Sequence, residues 1–479
     1  MVFSSTEFVF IFLPIVLTFH FILPKKVRNY LLLITSLLFY AWGEPVFVWV
    51  MLLSIIANYY IALGVGNPHR NAYGNKCFLF LSVAFNLGVL FIFKYSIFIV
   101  ENINALSGVS IPVPNMVLPI VGVSFFTFQA MSYSIDVYRG VTVPQRKLAN
   151  VAFYISFFPQ LIAGPIVKYH DIAGQIERRK LTLDKTARGI RRFIVGLAKK
   201  LLIANTMAVV ADKVFSPAEY DLALSAADVN IIIAWVGTLA YCIQIYFDFS
   251  GYSDMAIGLG QMFGFEIKEN FNYPFVAFSI KDFWRRWHIS LSTWFKEYLY
   301  IPLGGNRKGR SRTLLNMWIV FLCTGFWHGA EWTFLAWGIY HGLFLILETT
   351  VVINTEKYVF KPLKHIYTLL VVAVGFTLFR SESLSQALNF IGNMFVGFRS
   401  SPQSAAILGQ VISPQVILVF AISLVAALPM GKNVYNKALF GEHPILWENM
   451  SYVLSFVLFI LCVLNVSRST YNPFIYFRF

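Results

Sequence analysis

Apolar residues in this chain gather in long unbroken runs, and short loops rich in lysine and arginine separate the runs. Stretches such as 77–100, 231–249 and 447–466 reach the roughly 20 residues that a helix needs to cross a ~30 Å hydrocarbon layer. Lipid offers the backbone no hydrogen-bond partners, so a spanning element must be a helix or a strand of a closed barrel. The runs lack the period of two that barrel strands carry, which selects helices. The pattern therefore predicts an all-α polytopic membrane fold of about 11 to 12 transmembrane helices. They fall near 7–23, 29–42, 45–65, 77–100, 117–135, 190–211, 229–249, a hairpin over 313–350, 365–379, 412–430 and 449–467.

Two apolar stretches fit no full span. Residues 151–166 are interrupted by Gly164 and Pro165, and residues 251–265 carry Gly251, Gly258, Gly260 and Gly264. Both are expected to be re-entrant and to line an internal cavity, because broken backbone at membrane depth needs protein or water around it. A kinked, tightly packed helix is the alternative. The segment 268–312 is long, basic and aromatic, as an amphipathic helix lying in the interface would be. With no repeat at a fixed period, the chain is expected to form one integral-membrane domain over 1–479, with its core motifs in 150–350 and an aromatic tail at 471–479.

Composition agrees with the pattern: 58% of the 479 residues are hydrophobic and 13% charged, too apolar for a soluble domain. The formal charge of +15 does not point to nucleic acid, since the basic residues sit in short loops, as cytoplasmic anchoring requires. Loops 101–119 and 216–230 contain no Lys or Arg and are expected outside, which puts both termini outside. The first apolar run lacks preceding basic residues and a small-residue cleavage site, so it is expected to stay in the mature protein. The four cysteines, Cys77, Cys242, Cys323 and Cys462, lie in apolar runs without CxxC spacing, so no disulfide framework and no metal site is expected.

Ionisable groups inside a span cost about 2.5 to 3.5 kcal/mol on insertion scales and so need a reason. His328 sits in Gly325-Phe-Trp-His-Gly329, between the hairpin arms, where glycines let other groups approach the imidazole. Histidine accepts and returns a proton near neutral pH, as acyl transfer requires. A plain packing residue is the alternative. His288 lies on the interfacial element, with Arg285, Arg286 and Trp287 just before it. The arginines suit the phosphates of a cytoplasmic donor, or else anchor the helix to lipid headgroups. Asp248 and Asp254 are expected to cap a break or to pair with these arginines.

Together these segments resemble the membrane-bound O-acyltransferase family, in its bacterial alginate O-acetyltransferase branch. The matching text includes Phe158-Pro-Gln-Leu-Ile-Ala-Gly-Pro165, Trp284-Arg-Arg-Trp-His-Ile-Ser-Leu-Ser-Thr-Trp294, Tyr298-Leu-Tyr-Ile-Pro-Leu-Gly-Gly-Asn306 and Trp327-His-Gly329. The resemblance implies helices around a central tunnel, with His328 deep inside as general base and His288 as the second family position. It implies a bacterial cytoplasmic (inner) membrane location, acetyl-coenzyme A as a donor substrate rather than a resident cofactor, and acetyl transfer for O-acetylation of an extracytoplasmic polysaccharide. A separate SGNH or esterase-like transferase outside the membrane is the implied partner. The tail 472–479 is similar to the small partner peptide of teichoic-acid D-alanylation, which makes Tyr476 a candidate acyl relay. An aromatic belt at the membrane surface is the alternative for that tail. Two rival functions are D-alanyl transfer to teichoic acid and transport of a polysaccharide precursor, although matched, interrupted transporter halves are missing from the sequence.

Overall fold

The computed structural model of the protein describes residues 1–113, 122–220, 222, 228–350, 360–430 and 444–468, and every regular element among them is a helix. Among the described residues six helices are long and apolar enough to cross a membrane: Val48–Val65, Ala72–Ser107, Leu183–Phe215, Ile231–Met262, Lys361–Arg380 and Ile445–Arg468. The bent pair Pro402–Val411 and Pro414–Ala426, which turns by 67°, makes a seventh if taken as one broken span. Large apolar side chains such as Phe91, Ile92, Leu424 and Phe456 stand exposed on these elements, as they would toward lipid tails.

The remaining spans read from the sequence are helices too, but shorter or more polar. Val123–Tyr138, for example, carries Ser124, Thr127, Gln129, Ser132 and Ser134, all buried. Its surroundings are protein, so it does not need an uninterrupted apolar surface.

The described residues divide into two compact units that interleave in sequence: those of 1–193 with 252–269, and those of 194–251 with the ones from 270 to 468. In the first unit the rings of Phe3, Phe8, Phe39, Phe158 and Tyr252 pack together, with Phe3 stacked on Tyr252 at 4.5 Å. Around them runs the broken segment expected from Gly164 and Pro165. The Leu148–Ser156 helix ends at Phe157, a short turn covers Phe158–Leu161, and the chain then runs irregularly to Lys168. The backbone freed by this break finds partners within the protein. The Phe158 N–H donates to Ser36 Oγ at 3.1 Å, and the Tyr154 hydroxyl donates to the Val167 carbonyl at 2.9 Å.

The second expected re-entrant stretch is not one. Residues 251–262 continue the single helix Ile231–Met262 without a break. Its glycines are points of close approach rather than breakers: a Cβ on Gly258 would lie 2.6 Å from the Gly189 carbonyl oxygen, and one on Gly251 would lie 2.8 Å from that of Gly196. The aspartates on this helix also pair with other cations than those expected. Asp254 meets Arg192, which also binds Glu269, and Asp248 meets Lys200 at 2.9 Å with both side chains buried.

In the second unit the hairpin arms are Arg310–His328 and Trp332–Thr350. They touch backbone to backbone: a Cβ on Gly338 would stand 2.6 Å from the Phe321 carbonyl oxygen and 3.0 Å from Gly325 Cα. Small residues allow this, and the close crossing sets what lies beside His328. Gly338→Ala is expected to destabilise the protein by about 1–3 kcal/mol through overpacking, seen as a lower thermal midpoint in detergent. An unchanged midpoint would mean that the arms can separate without loss.

The interfacial segment is broken into short helical pieces, among them Ile280–Arg286 and Ile289–Phe295, rather than forming the one helix expected. Glu348, on the second hairpin arm, caps the Ile280–Arg286 helix by accepting the N–H groups of Ile280 at 2.6 Å and Lys281 at 3.0 Å. A carboxylate at a helix N-terminus is favourably placed.

Candidate active site

His328 is the last residue of the first hairpin arm, and Gly329 follows it in extended conformation. Gly329 has no room for a side chain, since a Cβ there would lie 2.2 Å from the Phe334 ring. The imidazole is buried in an aromatic cage, edge-on to Trp327 and Trp337 at 5.0 Å each and to Phe379 at 5.2 Å. Such a cage keeps bulk water from the ring.

His288 falls at the break between the two interfacial helices. Its backbone is left-handed, with φ 43° and ψ 55°, a conformation that residues with a Cβ seldom adopt and that costs on the order of 1–3 kcal/mol. Asn270 holds it there. The Asn270 carbonyl accepts the Ile289 N–H at 2.9 Å, and its side-chain oxygen accepts the Ser290 N–H at 3.1 Å and the Ser290 hydroxyl at 2.9 Å. The same oxygen lies 3.3 Å from His288 Nδ1. Because that oxygen is an acceptor, Nδ1 carries the proton and Nε2 keeps the lone pair. Burial pushes the His288 pKa down to about 3, so the ring is neutral at physiological pH.

The two histidines share a neighbour: Trp327 lies 6.2 Å from the His288 ring and 5.0 Å from that of His328. The fold thus brings together residues 40 apart that the sequence singled out separately. The basic residues before His288 divide. Arg285 is exposed, whereas the Arg286 Nε donates to Asp282 at 2.9 Å. Trp287 is buried, stacked on Phe283 at 5.5 Å and against Phe271 and Phe376 at 5.1 Å each. Tyr476 lies outside the described residues.

The sequence reasoning missed Asn270, Trp284, Trp337 and His341. His341 carried a readable signal, an ionisable residue in the apolar second arm. It is buried beside Trp337, at 5.1 Å.

The sequence model of the membrane-bound O-acyltransferase family matches residues 45–385. The chain is 40% identical to the Pseudomonas putida protein named "Probable alginate O-acetylase AlgI", over the whole of both chains. It is 36% identical to the peptidoglycan O-acetyltransferase of Helicobacter pylori, over 82% of this chain and 80% of that one. It is 27% identical to the teichoic acid D-alanyltransferase of Bacillus subtilis, over 55% of this chain and 67% of that one.

Proposed function

The chain belongs to the membrane-bound O-acyltransferase family, and from that premise we propose that it takes acetyl from cytoplasmic acetyl-coenzyme A and passes it across the membrane for O-acetylation of an extracytoplasmic polysaccharide. The observation that carries this reading is the pair of buried imidazoles that both pack against Trp327, one ending a hairpin arm and the other on the basic, aromatic element. Exposed Arg285 lies on that element, where it would meet the phosphates of the donor. His328 is the general base toward the acceptor hydroxyl, and His288 positions donor or acceptor. The donor comes and goes as a substrate, with no resident cofactor.

Two relatives named for O-acetyl transfer cover four fifths or more of the chain, which favours acetyl over D-alanyl as the cargo. In this reading the protein sits in the bacterial cytoplasmic membrane with both termini outside, and hands acetyl to an SGNH or esterase-like transferase beyond it. The test is incubation of purified protein with labelled acetyl-coenzyme A or, in parallel, with a D-alanyl-charged carrier protein. Label released from acetyl-coenzyme A onto a hydroxyl acceptor is the expected result; turnover of the charged carrier alone would reassign the donor.

A further inference from the structure

Trp337, which packs on His328, is one of three aromatic rings in mutual contact. Trp284 is 5.5 Å from Trp337 and 5.2 Å from His341, and Trp337 is 5.1 Å from His341, all in edge-on or steeply tilted arrangements. Each carries a buried nitrogen, Nε1 of Trp284, Nε1 of Trp337 and Nδ1 of His341, that finds no hydrogen-bond partner among the described residues. An indole nitrogen is only a donor, and buried tryptophans usually place it on an acceptor. Two indole donors and an imidazole nitrogen thus stand together without a partner among the described residues, where buried polar groups are as a rule satisfied.

The cluster is rigidly held. The Gly325 and Gly338 crossing fixes Trp337, and His341 Nε2 sits where a side chain on Gly375 would be, 2.4 Å from its would-be Cβ. Trp337 also forms one wall of the His328 cage, at 5.0 Å. The Trp337 donor therefore belongs to a ring that packs on the base, and Trp284 and His341 pack against that ring in turn.

We propose that the indole N–H groups of Trp284 and Trp337, with His341 beside them, receive the carbonyl oxygen of the acyl group during transfer. The inference rests on the acyltransfer reading above. In the step, His328 takes the proton of the acceptor hydroxyl, and the hydroxyl oxygen forms a bond to the thioester carbonyl carbon. The carbonyl π pair moves onto its oxygen, giving a tetrahedral oxyanion that the indole donors hold. Collapse restores the C=O bond and breaks the C–S bond, and the leaving thiolate takes back the proton from His328. Ester and thiol are the products. Donors fixed in advance on a developing negative oxygen are among the largest contributions to such reactions.

The test replaces Trp337, and separately Trp284, with 3-benzothienylalanine, which keeps the bicyclic shape and removes the N–H; Trp284→Phe serves as a second variant. Acetyl transfer from acetyl-coenzyme A is then measured at saturating and limiting donor, with the thermal midpoint as a folding control. The expected result is a fall of about 10²–10³-fold in kcat for each lost donor, with KM little changed. A kcat within about twofold of the unaltered protein, or a change confined to KM, would overturn the assignment, because uniform binding leaves kcat alone. Those outcomes leave the acyltransfer reading intact, whereas absence of any acyl transfer by the unaltered protein would remove both.

Discussion

Replacing His328 with alanine is expected to lower acetyl transfer by about 10²–10⁴-fold, the usual contribution of a positioned general base. In free energy this is about 3 to 5 kcal/mol of transition-state stabilisation. The effect should fall on chemistry rather than on folding, because His328 ends its helix and the aromatic side chains of Trp327, Trp337 and Phe379 can still pack around the space. The measurement is a rate with labelled acetyl-coenzyme A, paired with a thermal melt of the same preparation. His328→Gln, which retains polarity and bulk without an imidazole, should be nearly as slow. A variant that keeps its fold and transfers at close to the normal rate would exclude His328 as the base.

Lys200→Met should be the most destabilising of the substitutions considered, by roughly 3–5 kcal/mol. The Lys200 ammonium lies 2.9 Å from the Asp248 carboxylate, and the two side chains are only 4% and 1% exposed. A charge in a medium of low dielectric interacts strongly with its partner and is costly without one. Removing the lysine leaves the carboxylate buried with its counter-charge gone. Replacing both, Lys200→Met with Asp248→Leu, should recover most of the loss, because apolar groups of similar volume often substitute for a buried pair at little cost. Denaturation midpoints of the two single variants and the double variant in detergent measure the coupling. Additive losses would mean that the two groups do not depend on each other.

Much of the molecule was legible from residue order alone. Long apolar runs announce membrane helices because lipid forces every backbone group to find an internal partner, and that demand acts locally along the chain. Reading by residue type singled out His328, an ionisable group between hairpin arms, and, with the family resemblance, His288 on the aromatic and basic element. It also picked out the break near Gly164 and Pro165, although the helix already ends at Phe157, where backbone geometry set by packing takes over. The stretch 251–265 was misread because a glycine in sequence can mean either a break or a contact. Only the approach of Gly189 to Gly258 distinguishes the two.

What chain order determined, then, was the solvent the protein lives in and the helical class, while it only nominated two imidazoles, His328 and His288. Tertiary structure alone decided which groups meet. Lys200 finds Asp248, Asn270 holds His288, Glu348 caps a helix far back in the chain, and Trp284 and His341 meet Trp337, which packs on His328. The physical reason is one of range. Helix formation and lipid solvation act between near neighbours in the chain, so they can be read from spacing. A hydrogen bond, an ion pair or a ring contact between distant residues depends on which helices cross and how closely, and here that closeness is set by glycines whose importance lies in what they leave out.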